Sequence, residues 1–181
     1  MNRQPITTFL ILFLVYMLQS CASIPEKAEP VSDFELDRYL GTWYEIARFD
    51  FRFEKDLNNV TATYSLNEDG NVRVLNKGFN PLKKEWKSAE GVARFRNGKQ
   101  TAALEVSFFG PFYSGYNVIA LDEGYRYALV AGKNLDYLWI LSREPRIPDA
   151  VKKQYLKIAE EVGYNTSGLI WVKHDKSGHE N

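Results

Sequence analysis

Cysteine is nearly missing from this sequence: the 181 residues contain one, Cys21. An internal disulfide is excluded, so the core must hold the fold without a crosslink. Histidine is almost as scarce, with His174 and His179 both in the polar C-terminal stretch. The body of the chain thus lacks the commonest general base and zinc ligand. Neither sign of charge is in excess, 23 Lys+Arg against 23 Asp+Glu, and basic residues form no run. That excludes a nucleic-acid binder working by bulk neutralisation of phosphates. No Gly-x-Ser-x-Gly elbow, clustered metal-ligand spacing or phosphate loop is present. The expectation is a protein that is not an enzyme and needs neither metal nor cofactor. Long apolar runs are missing too: Phe9 to Leu18 is about ten residues, whereas a membrane-spanning helix needs roughly 20.

What that run does match is the core of a signal peptide, with Arg3 ahead of it and the small residues Ser20, Cys21, Ala22 and Ser23 behind it. Leu18-Gln19-Ser20-Cys21 resembles the bacterial lipobox, although Gln19 is a less usual occupant of its slot. The resemblance implies cleavage before Cys21, a thioether-linked diacylglycerol and an amide-linked acyl chain. Each buried methylene adds about 0.8 kcal/mol, so three chains anchor a protein that one chain would hold only marginally. Ala22 stands where an aspartate commonly signals inner-membrane retention, which points to the outer membrane of a Gram-negative cell. The alternative is a secreted protein whose thiol happens to lie near the cut. A reactive thiol is disfavoured, because no neighbouring base or cation would hold it as thiolate.

Residues 1–20 are therefore expected to be a signal peptide and 21–32 a lipidated N-terminus with a proline-containing extended tether. A domain over 33–174 and a polar tail over 175–181 complete the chain. The domain is read as all-β. "NVTATYSL" alternates, with Val60, Ala62, Tyr64 and Leu66 on one face. Turn signals at Glu68-Asp69-Gly70-Asn71, Asn97-Gly98, Glu123-Gly124 and Lys133-Asn134 divide about eight sequential strands. The period then changes: Val151, Tyr155, Ile158, Ala159 and Val162 form one helical stripe, with Gly163 at the C-cap position. Eight hairpin-linked strands escape exposed edges by closing on themselves. The expected architecture is an eight-stranded up-and-down antiparallel β-barrel with one C-terminal α-helix packed outside. Such a barrel is filled by side chains or holds one small ligand.

"YLGTWYEIARF" resembles the first signature of the lipocalins, and "YALV" (127–130) and "LSREP" fall in order as the second and third. With "ATYSL", "VLNKGF" and "VSFFGPFYSGYNVIALD", the resemblance is to the bacterial outer-membrane branch and its animal relative apolipoprotein D. It spans about Phe34 to Val172. It implies structural roles for Gly41, Trp43 and Arg143, with Trp43 plugging the closed end of the barrel. Arg143 would lie over the indole, a cation–π contact of about 0.5–2 kcal/mol. Many members also tie the C-terminal segment to the barrel by a disulfide. Here the helix is expected to dock by its stripe alone.

If Trp43 points inward, alternation places Glu45 and Ala47 inward as well. A buried carboxylate must be paired or protonated, so Glu45 is either a structural pair partner or a headgroup contact. Tyr137 and Trp139 share a face of the last strand. By resemblance to apolipoprotein D, Tyr64 and Trp139 line the ligand pocket; Ala62 lies on the face of Tyr64. Phe49, Phe51 and Phe53 crowd the first long loop and Phe112 and Tyr113 another. They either pack under the loops or form a rim that meets lipid or membrane. The expected partners are a fatty acid or lysophospholipid and, through Cys21, a membrane; a homodimer is left open. The competing function is an envelope structural or interaction lipoprotein whose barrel is filled.

Overall fold

The computed structural model describes residues 23–176; Cys21, the signal peptide and the last five residues lie outside that range. A short helix α1 (Leu36–Tyr39) leads into eight strands: β1 (Gly41–Arg48), β2 (Asn58–Leu66), β3 (Val72–Asn80), β4 (Glu85–Phe95), β5 (Ala103–Phe109), β6 (Phe112–Leu121), β7 (Tyr127–Ala131) and β8 (Leu138–Ser142). Each pairs antiparallel with the next, and β1 pairs with both β2 and β8, so the sheet closes. Helix α2 (Asp149–Val162) packs outside, and a two-residue strand β9 (Ile170–Trp171) adds to β1. This is the architecture that the alternation and the single helical stripe lead one to expect.

Two apolar cores result. One fills the barrel around Trp43, Tyr64, Val118 and Leu141. The other lies between the outer sheet face and α2, where Tyr155 and Ala159 meet Leu129, Leu138 and Ile140. Gly163 ends α2 at φ +113, a left-handed position that glycine takes without strain, and its N–H returns to the Ala159 carbonyl.

Four details depart from the sequence reading. The first is a β-bulge in β1. Glu45 faces Leu141 and Ala47 faces Ile140, leaving Ile46 as the extra residue. Beyond the bulge the faces exchange: Ala47 joins the outer core and Arg48 turns inward, so the inward assignment of Ala47 is corrected. Second, Asn97-Gly98 does not form a two-residue turn. It lies in a longer loop whose backbone pairs with the N-terminal segment, through Phe34 N–H to the Gln100 carbonyl (3.0 Å) and Ala102 N–H to the Val31 carbonyl (3.0 Å).

Third, that N-terminal segment is packed on the barrel rather than extended away from it. Pro25 and Ala28 are buried and Ile24 packs on the outer core. Fourth, the C-terminal segment docks by more than the helix stripe. It enters where β1 and β2 part, with Val172 N–H on the Ile46 carbonyl (2.9 Å) and Asn59 N–H on the Lys173 carbonyl (2.8 Å). The Asn59 side chain accepts from the N–H groups of Asp175 and Lys176, both at 2.9 Å. His174 is likewise part of this seam and not of a solvated tail. Its Nε2 is 2.8 Å from the Glu45 carbonyl oxygen, and burial lowers its pKa.

Candidate functional site

The base of the barrel is a packed, hydrogen-bonded plug. Trp43 is fully buried and donates from Nε1 to the Tyr39 carbonyl at 2.8 Å. The Arg143 guanidinium lies 3.9 Å from the centre of the Trp43 ring. Arg143 also donates to the carbonyls of Thr42 (2.9 Å), Arg38 (2.9 Å) and Leu40 (2.8 Å), meeting the unpaired C-terminal end of α1 with a cation. Gly41 stands at φ +92 beside it, where a Cβ would lie 3.4 Å from Arg143 Nη1. Above this plug, three hydroxyls form a chain: Tyr39 to Tyr116 at 2.7 Å and Tyr116 to Tyr64 at 2.8 Å. Burial pushes all three phenols upward, so they stay neutral donors.

The inner wall is not fully covered. Ala62, Val106, Tyr116 and Trp139 pack against the inner core yet are only partly buried. An inward side chain that stays partly exposed faces open lumen rather than close-packed neighbours. Tyr137 and Trp139 are stacked with centroids 6.2 Å apart, and Phe51 from the β1–β2 loop stands edge-on to both, at 5.9 and 5.6 Å. An aromatic wall therefore lines one side of the mouth.

Charge enters this lumen at one place. Arg48 Nη1 donates to Glu45 Oε1 at 3.1 Å, and its Nη2 donates to the Glu54 carbonyl at 2.6 Å. The Glu54 carboxylate is 3.6 Å from Arg48 Nε and accepts from Trp139 Nε1 at 3.4 Å. All three charged residues are buried. Burial first, and then the Glu54 charge, raises the Glu45 carboxyl well above the usual range. Burial raises Glu54 too, against the pull of Arg48. Two raised carboxyls around one cation make a buried polar cluster able to meet a polar headgroup. Asn76 Oδ1, also buried, has no hydrogen-bond partner among the described residues.

The structure thus brings Tyr64, Ala62, Tyr137, Trp139 and Glu45 to the inner face. Tyr113 is elsewhere: it belongs to β6 and not to a loop, and its ring lies 4.1 Å under the Arg94 guanidinium, which pairs with Glu105 on the outer face. Phe49 also leaves the mouth, stacking on Tyr164 outside the barrel at 6.0 Å. Sequence reasoning passed over Arg48, Glu54, Tyr39 and Tyr116. The doublet Ile46-Ala47 between two charged residues was the available sign of broken alternation. Among the described residues no cluster of three or more His, Cys, Asp or Glu is placed to hold a metal.

The family model described as a lipocalin-like domain matches residues 34–174. The chain is 56% identical over 160 residues to the outer membrane lipoprotein Blc of Citrobacter freundii, covering 87% of this chain and 90% of that one. Rat apolipoprotein D is 38% identical over 141 residues, covering 74% and 71%. Among solved structures, insecticyanin from the tobacco hornworm Manduca sexta superposes with a TM-score of 0.67 at 20% identity, over 83% of this chain and 86% of that one; this likeness concerns the fold alone. Signature residues, closed barrel and family match agree, and the chain belongs to the lipocalin family.

Proposed function

We propose that this chain is an outer-membrane lipoprotein, anchored through acylated Cys21, that binds one single-chain lipid in the mouth half of its barrel. The ligand is a fatty acid or lysophospholipid, and the role is storage or transport in the cell envelope rather than catalysis. One observation carries the binding reading: Ala62, Val106, Tyr116 and Trp139 face inward and are not fully covered by neighbours. The location draws on similarity to Blc proteins named as outer membrane lipoproteins. The buried Glu45–Arg48–Glu54 cluster supports a polar headgroup beside the aromatic wall.

Burying sixteen methylenes contributes roughly 13 kcal/mol gross at about 0.8 kcal/mol each. Immobilisation costs about 4–15 kcal/mol, which leaves a weak to micromolar or somewhat tighter affinity. Calorimetric titration of the purified mature protein with palmitate and with a lysophospholipid tests this. Trp139→Ala is expected to weaken binding, and Ala62→Trp to abolish it while the fold remains. If both variants bind as wild type does, the ligand is not in the barrel, and a structural envelope role takes its place.

A further inference from the structure

We infer that the barrel stands with its mouth against the membrane, held there by a dedicated dock for the residues that follow Cys21, and that the rim contacts an anionic phospholipid surface. The inference rests on the anchored reading above for the anchor, but the dock and the rim are separate observations.

The dock is built from two residues of β6. The Ser23 carbonyl accepts from Asn117 Nδ2 at 2.9 Å. Asn117 is fully buried, and the same amide nitrogen reaches the Ala131 carbonyl at 3.1 Å, while its Oδ1 accepts from Arg96 Nη2. Beneath the same point lies Gly115, where a Cβ would stand 1.8 Å from the Ser23 oxygen. Any side chain at position 115 would displace the tether. Ala131 ends β7 at the mouth, and Ile24 and Pro25 sit beside Lys133, Asn134 and Leu135 of the loop that follows. From there the segment runs along the barrel wall toward the base, where Phe34 joins the inner core. Cys21 stands two positions before Ser23, a reach of at most about 7 Å. An acyl anchor on Cys21 is therefore tied to the mouth end.

That end is dressed for a bilayer. Phe53, Leu82, Phe109 and Phe112 come from three separate connections and are 66%, 78%, 64% and 79% exposed. Phe53 and Phe109 already touch, with ring centroids 5.6 Å apart. Exposed apolar clusters of this kind mark sites of contact with partners or membranes. The mouth loops carry Arg52, Lys55, Lys83, Lys84 and Lys133 exposed, against Asp50, Asp56 and Asp136. The base loops expose Glu68, Asp69 and Glu123 against Lys99 and Arg126. These exposed residues sum to two positive charges at the mouth and one negative charge at the base, so anionic headgroups favour the mouth over the base. In this pose an acyl chain passes between bilayer and lumen without crossing water.

The test uses the full-length lipoprotein, processed in cells and reconstituted in vesicles of phosphatidylethanolamine and phosphatidylglycerol. A cysteine at the rim (Phe112→Cys) or at the base (Asn97→Cys) carries an environment-sensitive fluorophore. Nitroxide-labelled lipids are expected to quench the rim label several-fold more than the base label. In Gly115→Ala, and independently in Asn117→Ala, that contrast is expected to shrink while the far-ultraviolet spectrum stays native. Equal quenching at both ends, stronger quenching at the base, or a contrast that both variants leave intact would overturn the proposal. Acylation is scored separately by the mass of the mature chain. An unmodified Cys21 would end the anchored reading, while rim quenching with phosphatidylglycerol vesicles would still uphold mouth contact and its loss would overturn it.

Discussion

Arg48 and Glu45 are three residues apart on one strand, yet their side chains meet inside the barrel at 3.1 Å. Regular alternation sends residues i and i+3 to opposite faces. The bulge at Ile46 cancels one step, so an acid and its cation share the lumen. Arg48 then reaches the Glu54 carbonyl and fastens the β1–β2 loop over the same space. One inserted residue thereby sets both the polarity of the lumen and the position of Phe51 at its mouth.

Removing the cation should expose the cost of this arrangement. Arg48→Met leaves two buried carboxyls without their cation and the Glu54 carbonyl without its donor. Breaking a buried pair on one side costs about 3–5 kcal/mol, and that loss is expected in urea unfolding at pH 8. The deficit should narrow at pH 5, where both carboxyls take up protons. A change of under about 1 kcal/mol at pH 8 would place Arg48 in solvent and refute the bulged geometry.

The two glutamates also predict a pH dependence of defined sign. Both folded-state pKa values are raised, by burial first. The folded protein therefore binds more protons than the unfolded chain above the ordinary glutamate pKa of about 4.3. Their contribution is fully present below that value and is lost as pH rises through the raised folded values. The limiting slope is about 1.4 kcal/mol per pH unit for one proton. Glu45→Gln keeps Arg48 paired with Glu54 and removes one of the two raised carboxyls. The stability of wild type minus that of Glu45→Gln should therefore fall as pH rises from 5 to 8. A difference that rises over the same range would show the carboxyls to be ordinary ion-pair partners with depressed pKa values.

Much of the barrel was legible because its strands are half-buried on two different cores, which writes alternation into "NVTATYSL" and a helical stripe into Val151–Val162. Trp43 and Arg143 were legible through the family signatures they resemble; in the fold Arg143 stands just past the end of β8. Bulges leave a fainter trace. Ile46 and Ala47 are both apolar, and Ala47 satisfies an inward slot in the sequence as well as the outer core in the fold. Tyr39 and Tyr116 were invisible as a pair because their shared hydroxyl chain joins elements 77 residues apart. Tyr113 misled through the Gly110-Pro111 turn beside it, which reads as a long loop but is a tight connection between strands.

The seam at Asn59 makes the last prediction. The sequence offered Asn59-Val60-Thr61 as a chance glycosylation pattern. In the fold this asparagine is buried, sits at φ +53 and clamps the chain end through Asp175 and Lys176. It thus ties the chain end to β2 by hydrogen bonds alone. Asn59→Ala loses those bonds, at about 1–3 kcal/mol for the buried groups left unpaired. Alanine also lacks the local side-chain hydrogen bonding that lets asparagine tolerate this left-handed backbone, a conformation that costs other L residues about 1–2 kcal/mol. Asn59→Gly loses the clamp without that strain, so the difference between the two variants measures the backbone cost less the roughly 0.4–1 kcal/mol by which glycine stabilises the unfolded chain. In both, the amides of Val172, Asp175 and Lys176 should exchange with solvent at least about tenfold faster, equivalent to about 1.4 kcal/mol of local opening. Amides in β7 and β8 should keep their protection, because the seam closes the splayed edge of β1 and not the core. Unchanged exchange at all three amides would mean that β9 is held by the helix stripe after all.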